Sequence, residues 1–159
     1  MNRIMQTQFP VFEMYRELRD QLMAVLTDDD LPFRPADHSP TLGDLCRGIG
    51  EVEYSYIESF RTFEQDFAYR SEVSGIEGSV EKLVAWYREL DGALKEALES
   101  LSDEDIEKRQ IKRGDDFHVP IHIQLGVYQE ALLIFYGKTS VYFDALGKTP
   151  PQRFHEWIG

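Results

Sequence analysis

The residues that could do chemistry are few and badly placed for it. His118 and His122 are four apart, the spacing of a zinc pair on one helix face. Pro120 lies between them, so His118 is expected to precede the helix, and the pair to point away from the core. His38 and His155 have no partner nearby in sequence. Cys46 sits beside an apolar helical stripe; a nucleophilic thiolate needs a cationic neighbour, and Arg47 projects elsewhere on the helix. Cys46 is therefore expected to be structural. A carboxylate-bridged dimetal centre needs Glu-x-x-His pairs facing inward, and the chain contains none. A Gly-rich phosphate loop and a Gly-x-Ser-x-Gly elbow are also missing. No residue is assigned a catalytic role.

The elements that must carry these residues are helices. Val11, Tyr15, Leu18, Leu22 and Val25 alternate steps of four and three, the period of a first helix ending near Thr27. Three prolines in residues 31–40 mark a loop. Thr41 and Asp44 form a capping-box pattern that opens a second helix, whose inward stripe is Leu45, Ile49, Val52, Tyr56, Phe60, Phe63 and Phe67. Gly43, Gly48 and Gly50 crowd its first turns, each costing roughly 1 kcal/mol against Ala, so a close neighbour or a ligand is expected there. Ser79 caps a third helix through Leu83, Tyr87, Leu90, Leu94 and Leu98. Ser102 and Asp105 begin a short helical piece, and residues 111–119 form a small hairpin or ordered loop. The last helix runs from Pro120 to a C-terminal cap at Gly147. Four long amphipathic helices predict an all-α four-helix bundle. The long link between the first two helices allows a topology other than simple up-and-down.

Composition narrows the partners. The chain has 159 residues, a length that suits one domain, here 1–159 with a short tail at 149–159. Seventeen Lys and Arg against 29 Asp and Glu give a net charge of −12, which disfavours nucleic acid and anionic membrane surfaces. No apolar run approaches the ~18 residues of a membrane span, and the N-terminal stretch lacks the pattern of a signal peptide. A single cysteine excludes an internal disulfide and fits a reducing cytoplasm.

Two stretches together, LPFRPADHSPTLGDLCRGIGEVEYSYI (31–57) and FYGKTSVYFDALGKTPP (135–151), resemble segments of the DinB/YfiT-like superfamily. The first is similar to its Arg-Pro loop and second helix, the second to the end of its last helix. The resemblance implies a four-helix bundle, a frequent homodimer and a divalent metal held by three histidines, serving thiol-dependent transferases and isomerases. Carried over residue by residue, those histidines fall on Gly48, Ala131 and Phe135, so all three ligands are replaced. Tyr136 and Lys138 stand where the family pattern has Arg and Gln, and Gly137 matches.

These readings lead to a metal-free, cofactor-free binding or interaction module with a small apolar cleft at the former metal position. Glu51, Tyr56, Tyr128 and Lys138 are its candidate lining, and a small molecule its candidate ligand. Phe135 is expected to lie over Gly48 and fill the vacated space. The alternative is a metal-dependent thiol-S-transferase or hydrolase with replacement ligands from Asp44, Glu51, Tyr128 or Lys138. A homodimer is expected through a surplus apolar stripe on the last helix: Leu133, Tyr136, Ser140 and Phe143. Burial of that stripe under the tail around Trp157 is the competing arrangement.

Overall fold

A computed structural model describes residues 1–159. Its helices are α1 (Arg3–Thr7), α2 (Phe9–Val25), α3 (Leu42–Thr62), α4 (Val80–Ser100), α5 (Asp103–Lys108), α6 (Ile121–Leu146) and α7 (Gln152–Ile158). Two three-residue strands, β1 (Gln110–Lys112) and β2 (His118–Pro120), pair antiparallel with Ile111 opposite Val119. The bundle is built from α2, α3, α4 and α6. Helix α3 packs on both α4 and α6, and α2 packs on α6, so the ring runs α2–α6–α3–α4. Successive helices α2 and α3 therefore stand diagonally, and the Pro-rich segment 31–40 carries the chain across.

Local chemistry sets the helix ends. The Thr41 hydroxyl accepts from the Asp44 amide at 3.0 Å while the Asp44 carboxylate accepts from the Thr41 amide at 2.9 Å. Ser102 and Asp105 repeat this arrangement at α5. The Ser79 hydroxyl accepts from the Lys82 amide. Gly147 takes the left-handed conformation, φ 67°, and its amide donates to the Asp144 carbonyl. Helix α3 ends earlier than its apolar period suggests. Phe63 is its left-handed C-cap at φ 64°, leaving Phe67 exposed in the following loop.

Two of the three glycines of α3 are explained by close packing. A Cβ on Gly43 would fall 1.9 Å from the Glu77 carbonyl oxygen, and one on Gly50 2.3 Å from the Trp86 ring. A side chain at Gly43 would strike the Glu77 backbone, and one at Gly50 would have to displace the Trp86 ring. Gly48 is different, because a Cβ there would meet nothing within 4 Å.

The core departs from the sequence expectation in the phase of two helices. On α2 the buried residues are Phe9, Phe12, Leu18, Arg19, Leu22 and Met23, while Val11 and Val25 are exposed. On α6 two of the four residues of the stripe expected to meet a second subunit are buried within the chain. Tyr136 and Phe143 are fully buried, and Phe154 of α7 meets the Tyr136 ring edge-on at 5.5 Å. Trp157 packs on Tyr15, the Arg153 guanidinium lies over Trp157, and the Ser140 hydroxyl donates to the Gly159 carbonyl. The tail thus covers Tyr136, the competing arrangement to a dimer, while Leu133 and Ser140 stay partly exposed.

Candidate functional site

Gly48 on α3 and Ala131 and Phe135 on α6 line one cleft of about 310 Å³ between the two helices. Leu45, Ile49, Val52 and Ile134 complete its apolar wall, with Asp44 and Lys138 as the polar side chains. The helical repeat produces this convergence. Leu45, Ile49 and Val52 recur at steps of four and three, and Ala131, Ile134, Phe135 and Lys138 do the same on the facing helix. Phe135 does not close the space over Gly48. Its ring is 95 % buried and belongs to the main core, so the groove above the glycine stays open. The expected ring-over-glycine packing is thus corrected: the core takes the ring and leaves the cleft.

The candidate lining residues divide. Lys138 lines the cleft. Glu51 lines an adjoining recess of about 280 Å³ that shares Gly48 and Val52 with it and includes Phe67 and Arg70. There Glu51 accepts from Arg47 at 2.9 Å and from the Ser71 amide at 3.0 Å. Tyr56 and Tyr128 are not in the cleft. Both are core residues, their rings stacked at 4.9 Å and 24°. Tyr128 shares the Phe135 face of α6 but lies seven residues away, roughly 10 Å along the axis, and this places it deep in the bundle.

The donor set of the cleft does not fit a metal. Glycine, alanine and phenylalanine supply no ligand atom, and an ammonium repels a cation. The replacement donors are also committed elsewhere: Glu51 to Arg47 and Ser71, Tyr128 to the core, Asp44 to the Thr41 cap. Nowhere in the structure do three His, Cys, Asp or Glu side chains gather as a metal site. His118 on β2 and His122 in the first turn of α6 are both exposed and belong to no such group. Cys46 is fully buried, and burial pushes its thiol up to about 12, which keeps it protonated and unreactive.

A polar cluster in the bundle interior escaped the sequence reading. Arg19 and Glu53 are both fully buried and pair at 2.5 Å; Arg19 also pairs with Asp91 at 2.7 Å, and Arg16 with Asp91 at 2.5 Å. The Arg19 guanidinium lies 4.1 Å from the Tyr87 ring centroid, and the Tyr87 hydroxyl donates to the Cys46 carbonyl at 2.5 Å. Burial raises the Glu53 carboxyl to about 7 despite the opposing pull of Arg19. Arg19 Nε has no hydrogen-bond partner, and the Tyr128 hydroxyl lies beside the Glu53 carboxyl. A signal for the cluster was present. Glu53 lies on the period of Ile49, Tyr56 and Phe60, and Asp91 on that of Tyr87, Leu94 and Leu98. A charge at an inward position on each of two helices demands a partner.

The ring of four helices, the diagonal crossing and the interhelical cleft define an all-α bundle of a known class. The DinB superfamily model matches residues 12–131, and the chain belongs to that superfamily. Two solved structures share the fold. A DinB-like protein from Bacillus cereus ATCC 10987 is 22% identical with a TM-score of 0.74, covering 90% of this chain and 93% of its own. A DinB-like protein from Bacillus subtilis is 18% identical with a TM-score of 0.68, covering 88% and 92%. A comparison with curated proteins finds no match. No helix is long and apolar enough to cross a membrane.

Proposed function

We propose that this DinB-superfamily protein is a binding module that takes a small, largely apolar molecule in the α3–α6 cleft, without metal chemistry there. The observation that carries the reading is the convergence of Gly48, Ala131 and Phe135 on one open groove with no metal-ligating set. The resemblance places the superfamily's metal ligands at these positions. An open cleft lined by apolar side chains where the resemblance places donors suits a ligand held by burial. At about 310 Å³ it lies at the small end of the range for small-molecule sites.

The test uses n-octanol as an uncharged apolar probe, with the backbone amide signals of Gly48 and Ala131 followed by NMR. Octanol is expected to shift both amides saturably, and Gly48→Leu, which places a side chain in the open groove, is expected to abolish the response while the protein stays folded. Elemental analysis of protein purified without an affinity tag accompanies the titration. No response to octanol, or a stoichiometric metal retained through purification, would overturn the reading.

A further inference from the structure

We infer that the ligand class of this cleft is a small amphipathic carboxylate, its apolar body against α3 and α6 and its anionic head at Lys138. This inference rests on the binding reading above and adds the chemistry of the head group. The cleft has two charged side chains, Asp44 and Lys138, and they differ in what they have free to offer. The Asp44 carboxylate accepts the Thr41 amide and completes the N-terminal cap of α3. It sits at the positive end of that helix's dipole, which offsets part of its charge. The Lys138 ammonium makes neither an ion pair nor a hydrogen bond, whereas Lys148, further along the chain, is paired with Asp30. Lys138 thus has all three donors available beside an apolar wall.

The position of that ammonium selects for charge. Lys138 is exposed at the rim of the groove, and its ammonium offers an anion a charge-assisted hydrogen bond next to the apolar wall. A cationic head in the same place would meet Lys138 at close range, and a neutral head would gain less. The net charge of −12 repels anions at long range, but salt screens such fields over about 8 Å at physiological ionic strength, so the contact at Lys138 decides. Leu45, Ile49, Val52 and Ile134 provide the surface for the apolar body.

Octanoate, n-octanol and octylamine share one hydrocarbon chain and differ in head charge, so they separate the two readings. Each is titrated near neutral pH into the wild-type protein and Lys138→Met, following the Gly48 and Ala131 amides. Octanoate is expected to saturate the shifts at about tenfold lower concentration than octylamine, with octanol between them. In Lys138→Met the octanoate preference over octylamine should fall to about one. If octanol binds but octanoate and octylamine bind alike, or if the preference survives Lys138→Met, the carboxylate inference fails and the apolar cleft stands. If none of the three moves these amides, both readings fail.

Discussion

Arg19 and Glu53 form an ion pair where bundles usually place leucine, and its energetics are asymmetric. Exchanging a buried pair for apolar residues is often neutral, whereas removing one partner strands the other charge. Arg19→Leu alone is therefore expected to cost about 3–5 kcal/mol in denaturant unfolding, and adding Glu53→Leu should recover part of that loss. The raised Glu53 carboxyl also links stability to pH. Its folded form holds a proton more tightly than the unfolded chain, so its contribution is full below the ordinary carboxylate range and is lost as pH rises through about 7. The melting temperature of wild type minus that of Glu53→Gln should accordingly fall between pH 5 and 8; a flat or rising difference contradicts this. The α3 glycines give a second contrast at this scale. Gly50→Ala drives a methyl into Trp86 and should cost about 1–3 kcal/mol. Gly48→Ala has open space and should gain up to about 1 kcal/mol of helix propensity.

At the scale of elements, α7 decides what α6 can do. Its Phe154 is fully buried against Tyr136, and Ser140 and Tyr15 hold its end. Phe154→Ala should destabilise by about 3–5 kcal/mol, the range for deleting a buried ring. Removing residues 149–159 should uncover the Tyr136 and Tyr15 rings that Phe154 and Trp157 pack against, and an apolar patch of that kind drives association. Sedimentation of the truncated chain is expected to show larger species than the full chain at equal concentration; identical masses would mean that α7 is not the cover that matters.

At the scale of the whole molecule, the bundle brings one residue of α3 and two of α6 to a common point, far apart in the chain. That geometry can be tested by rebuilding a metal site. The combined change Gly48→His, Ala131→His and Phe135→His should create zinc or nickel affinity measurable by calorimetry, with the unmodified protein as the comparison. The absence of any gain in a folded triple variant would show that the three positions do not converge closely enough to share an ion. The ring order α2–α6–α3–α4 makes this convergence possible, because it sets α3 beside α6 rather than opposite it.

What the sequence by itself determined were features encoded within a few residues. The Thr41, Ser79 and Ser102 caps, the Gly147 stop and the four long helices with apolar stripes depend on neighbours one to four positions away. The family motif also placed Gly48, Ala131 and Phe135 on one site. Tertiary structure alone decided the rotation of each helix about its axis. Val11 and Phe12 are adjacent, and only packing against α6 turns Phe12 inward and leaves Val11 in solvent. The same freedom drew the Phe135 ring away from Gly48 and paired Arg19 with Glu53 and Asp91 on two other helices. Hydrophobic burial is non-directional, so a helix with several apolar stripes can satisfy it in more than one rotation. The rotation adopted depends on partners remote in the chain, including the α7 tail that covers α6, and a local pattern does not contain them.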